Sequence, residues 1–79
     1  MIDYDSFYYI YSIEMVREAI KDIEMTICDL NKVYKILNGS SKNNIYNISH
    51  EVSDVSNELE KTKAKIRNIL KKLDVQESA

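Results

Sequence analysis

No proline occurs in this chain of 79 residues, and Gly39 is its single glycine. Without proline nothing removes a backbone donor or forces a kink, so long helices can run uninterrupted. One glycine rules out a glycine-rich phosphate loop. The one cysteine, Cys28, has no second thiol to pair with, which fits a reducing compartment and a cytoplasmic protein. The one histidine, His50, has no companions from which a metal site could be built. No apolar run approaches the roughly 20 residues of a membrane span, so membrane insertion is not expected. A basic start followed by an apolar core and a small-residue cleavage site is also missing, so no Sec-type signal peptide is expected. The formal net charge of -2 argues against nucleic acid as the default partner.

What the chain does contain is apolar periodicity. Before Gly39 the apolar positions are Tyr9, Ile13, Val16, Ile20, Ile23, Ile27, Leu30, Tyr34 and Leu37, in strictly alternating steps of four and three. That is a heptad seam, the pattern of a helix meeting another helix at a shallow left-handed angle. After Gly39 the pattern resumes at Ile45, Ile48, Val52, Val55, Leu59, Thr62, Ile66, Ile69 and Leu73. Asn38-Gly39 suits a helix C-terminus that ends in the left-handed conformation. Ser40 or Ser41 is placed to accept hydrogen bonds from the start of the next helix. Asp3, Asp5 and Ser6 are candidate caps for the first. The expected fold is all-α, an antiparallel two-helix hairpin over about 6–37 and 42–74 in a single domain spanning 1–79. Folding near Ser41 sets Leu37 opposite Ile45, Tyr34 opposite Ile48, Ile20 opposite Thr62 and Tyr9 opposite Leu73.

Charge supports the antiparallel sense. Acids crowd the first half of helix one (Glu14, Glu18, Asp22, Glu24), and bases crowd the end of helix two (Lys61, Lys63, Lys65, Arg67, Lys71, Lys72). Two helices sharing one seam make a thin core, which points to completion as a helical bundle by a partner or by dimerisation. Beside the first seam runs a second stripe with Tyr8, Met15, Ala19, Thr26, Val33 and Ile36, interrupted by Asp22 and Asp29. On helix two, Tyr46, Ser49, Ser53, Ser56 and Leu70 lie along one edge, where small residues let another helix come close or are simply solvated. The candidate partner-binding residues are therefore Tyr8, Met15, Ala19, Val33, Ile36 and Tyr46. Phe7, Tyr8 and Tyr11 either join that interface or cap the open end of the hairpin near Leu70 and Leu73.

The turn Leu37-Asn38-Gly39, followed by Ser40-Ser41 and then Ile45-Tyr46, resembles the Trp-x-Gly or Leu-x-Gly turn of the small helical-hairpin proteins of type VII secretion, the WXG100-like group. Tryptophan is absent, so the chain looks more similar to the small α-helical partners that accompany LXG-domain toxins than to WXG100 proteins proper. The family's C-terminal Tyr-x-x-x-Asp/Glu export signal is replaced by Leu70 and Asp74 at the same spacing, a degenerate form. The resemblance implies a non-enzymatic adaptor or chaperone, cytoplasmic or co-secreted. Such an adaptor binds the N-terminal helical region of an LXG-type toxin, or another small helical protein, and supports export.

No catalytic residue, cofactor site or metal site is expected, because the acids are spread as helix surface and Cys28 has no neighbouring base. The alternative reading is a homodimeric coiled-coil protein, structural or regulatory, without a secretion role. A third, a nucleic-acid-associated regulator, would use Lys61 to Lys72, whose field the acids across the hairpin largely cancel.

Overall fold

The computed structural model describes residues 4–78, in two helices: α1 (Tyr4–Asn38) and α2 (Asn43–Ser78). They fold back on one another as an antiparallel hairpin, an elongated body of 65 × 17 × 13 Å. Each helix is longer than anticipated by a few residues, as fits a chain with no proline to stop either one. Asp5 and Ser6 lie within α1 rather than ahead of it, and Asp3 falls outside the described residues.

The turn closes differently from the expected left-handed cap. Gly39 does not adopt positive φ. Instead the Ser40 N–H donates to the Leu37 carbonyl at 3.1 Å, a tight closing turn. The Ser40 hydroxyl accepts from the Lys42 N–H at 3.1 Å, two residues on, a local side-chain turn rather than a cap inside α2. The first backbone bond of α2 then runs from the Tyr46 N–H to the Lys42 carbonyl at 3.0 Å.

The seam of α1 is as expected. Ile13, Ile20 and Ile27 are buried, and the other six seam residues, from Tyr9 to Leu37, are half-buried. Leucine and isoleucine at alternating steps of three and four give α1 one stripe that can be covered by one neighbour. Tyr9 extends the seam to the open end, where its hydroxyl donates to the Leu73 carbonyl, the predicted pairing of those two residues.

The seam of α2 is corrected by one residue in every second place. Ile45, Val52, Leu59, Ile66 and Leu73 are half-buried, as expected. Ile48, Val55, Thr62 and Ile69, expected beside them in the seam, are exposed. Their places facing α1 go to Ser49, Ser56, Lys63 and Leu70, each one residue further on. Ser49 and Ser56 are buried outright. So the edge of α2 on which small residues were expected to admit another helix is the edge that admits α1 itself. A small side chain opposite a bulky one lets two helix axes approach without a void, which is how facing layers interdigitate. In the register that joins Tyr9 to Leu73, the bulk opposite Ser56 and Ser49 of α2 comes from Ile27 and Tyr34 of α1.

Candidate partner-binding surface

Two cross-helix ion pairs fix which edges of the helices adjoin. Arg67 donates to Glu24 at 2.6 Å, and Arg17 lies 3.8 Å from Asp74. Glu24 and Arg17 border the seam of α1 on one side, and Arg67 and Asp74 border that of α2. In an antiparallel pair, like edges meet, so this side is the polar one. The opposite edges meet on the other side of the hairpin: Ser12, Ala19, Thr26 and Val33 on α1, and Ile48, Val55, Thr62 and Ile69 on α2. Both rows repeat every seven residues, so each keeps to one face along the whole rod.

This second side is the apolar one. Ile48, Val55 and Ile69 are 46%, 51% and 50% exposed. Across the groove stand Ala19 and Val33, and at the outer rim of α1 stand Tyr8, Met15 and Ile36, all exposed. Five of the six residues expected to bind a partner therefore share one face. Tyr46, the sixth, lies on the polar side near the turn, where its ring packs edge-on against His50 with centroids 4.9 Å apart. The apolar row Ile48, Val55 and Ile69 was missed as a binding surface because its spacing fits an internal seam equally well. The signal that separates the two is the companion row Ser49, Ser56, Lys63 and Leu70, which has the same seven-residue spacing.

The aromatic end of α1 is also uncovered. Phe7, Tyr8 and Tyr11 remain 58–63% exposed, so they do not close over Leu70 and Leu73. Phe7 and Tyr8 pack edge-on at 5.9 Å. Leu70 is half-buried against α1, and Asp74 is drawn to Arg17, so both residues are engaged within the hairpin.

Polar groups inside the α1–α2 contact are few. The Ser49 hydroxyl donates to the Tyr46 carbonyl and reaches the Asn38 amide oxygen at 3.5 Å. Ser56 Oγ is buried with no hydrogen-bond partner. Lys63 keeps its stem in the seam with its side chain 16% exposed, and its ammonium pairs with Glu60 at 3.1 Å. That arrangement is an amphipathic side chain using its methylenes as core. Among the described residues no group of His, Cys, Asp and Glu converges as a metal site, and no helix is long and apolar enough to cross a membrane.

The observed arrangement is thus a small all-α hairpin with many exposed apolar side chains and few buried ones. Such a surface is the mark of a protein that meets a protein partner or another copy. Comparison with family models, curated proteins and solved structures found no match to this chain.

Proposed function

We propose that this chain is a non-enzymatic helical partner, an adaptor or chaperone, for the N-terminal helical region of a type VII-secreted LXG-type toxin. The observation that carries the reading is the apolar face formed by Tyr8, Met15, Val33 and Ile36 with Ile48, Val55 and Ile69, broken along the rim of α1 by Asp22 and Asp29. A helix laid along that face would bury aliphatic side chains on both partners, each fully covered one contributing about 1.5–3 kcal/mol. The Leu37-Asn38-Gly39 turn, with its LXG-like sequence, supports the choice of client. On this reading Leu70 and Asp74 stay occupied with α1, and the client carries the export signal.

The test is to mix the purified chain with the N-terminal helical segment of an LXG-type toxin. Mass by light scattering and helicity by circular dichroism are then followed. A defined complex with a gain in helicity is expected, and Val33→Asp or Ile36→Asp on the apolar face should weaken it by about tenfold or more. A folded hairpin that ignores the toxin segment at high concentration would sink the proposal.

A further inference from the structure

The exposed row of α2 has a symmetry that a lone hairpin does not use. Along the helix it runs Ile48, Val55, Thr62, Ile69. In the reverse direction it runs Ile, Thr, Val, Ile, and Val and Thr are nearly the same shape. A two-fold axis midway between Val55 and Thr62 would therefore set Ile48 on Ile69 of a second copy and Val55 on Thr62 of that copy. Charge follows the same division. From residue 43 to residue 60, α2 holds four acids and no Lys or Arg; from 61 to 75 it holds six Lys or Arg and one acid. Antiparallel apposition of two α2 helices brings each acidic half against a basic half. Parallel apposition sets like on like.

Three of the charged residues bordering the row are free to take part, while Glu58 pairs with Lys61 at 3.5 Å. Among the described residues, Glu51, Lys65 and Lys72 form no ion pair within the hairpin. Self-complementarity of this kind is the requirement for a closed two-fold interface, in which residue i meets j and j meets i. A row of aliphatics flanked by charges of opposite sign also satisfies the rule for antiparallel helix pairing. α2 is in fact broader in its apolar face than one neighbour needs. The two rows facing α1 and the row beside them take about three of every seven positions, the width of a core-facing helix in a bundle.

We propose that the chain pairs with a second copy of itself through α2, antiparallel, about a two-fold axis beside Glu58. The contact is the row Ile48, Val55, Thr62 and Ile69, with Glu51 of each copy facing Lys65 of the other. This row is also part of the face that the client reading uses, so a second copy and a client helix compete for it, but the two readings fail separately. A chain that pairs with itself and ignores toxin helices keeps the one and loses the other, and a monomer that binds toxin helices does the reverse.

Sedimentation equilibrium from about 1 to about 100 μM tests the state. A mass of two chains is expected, with Ile48→Asp or Ile69→Asp weakening the dimer about tenfold or more. Both sites are half-exposed in the single hairpin, so helicity should hold, and circular dichroism checks that. Glu51→Lys and Lys65→Glu should each weaken pairing by about threefold, and the double variant should restore it. In a Cys28→Ser background, Glu58→Cys should oxidise to a disulfide-linked dimer while Asn44→Cys should not. A single-chain mass throughout the range overturns the proposal. So does a dimer indifferent to Ile48→Asp, or one that links through Asn44→Cys but not through Glu58→Cys.

Discussion

The two helices are nearly equal in length and carry the same periodicity, yet they use it differently. α1 turns one seam toward its neighbour and holds it there, with isoleucine at the three buried positions. α2 is rotated by about one residue from its most apolar line. Half of that line faces α1 and half faces out, while serines occupy the close contact. A helix with one apolar stripe needs one neighbour. A helix whose stripe is wider than the contact it makes has room for a second. The lesson is that the residues nearest the partner helix need not be the greasiest ones. They are those whose volume lets the opposing side chains in.

The contrast can be broken most directly in the buried seam. Ile27→Ala removes a buried side chain of α1 and should cost about 2–4 kcal/mol of stability. Ile48→Ala, half-exposed on α2, should change the single hairpin by less than about 1 kcal/mol. Urea unfolding at low protein concentration measures both. Equal losses would show that the apolar row of α2 is internal after all.

A smaller effect, of opposite sign, is expected at the serines. The Ser56 hydroxyl is buried without a partner. Ser56→Ala removes that desolvated group and favours the helix, so it should stabilise by about 1 kcal/mol. Ser49→Ala, which gives up the bonds to Tyr46 and Asn38, should not gain as much. A thermal melt of the pair of variants at matched concentration decides this. Destabilisation by Ser56→Ala would mean that the hydroxyl has a partner in solution.

The smallest effect lies at the joint between the helices. A Cβ added to Gly39 meets only the Ile36 and Lys35 carbonyl oxygens, each at 3.6 Å, ordinary contact. Because φ is not positive there, Gly39→Ala should be tolerated and should stabilise by about 0.4–1 kcal/mol through the unfolded chain. A loss of more than about 1 kcal/mol on denaturation would restore the left-handed cap that Asn38-Gly39 suggests.

How much was legible is clearest residue by residue. The α1 seam from Tyr9 to Leu37 could be read in full, because one apolar stripe on a long helix admits one orientation. So could the antiparallel sense, since the acids of α1 and the bases of α2 are far apart in the chain and adjacent in a hairpin. Five of the six candidate partner-binding residues share a face for the same reason: they were read relative to a seam that proved right. Tyr46 went to the other face because it was read relative to the misplaced row of α2. Ile48, Val55 and Ile69 could not be told from core, since spacing reports a shared face but not which way that face points.

The amino-acid sequence by itself determined that two long helices form, where they part, and that they run antiparallel. Those outcomes depend on local propensity, on one glycine without prolines, and on charge summed along each rod. Only the tertiary structure decided the rotation of α2 about its own axis. That choice belongs to the pair, because it depends on how Tyr34 and Ile27 of α1 fit the spaces above Ser49 and Ser56. It is also what turns an apolar row outward and makes it available to another helix.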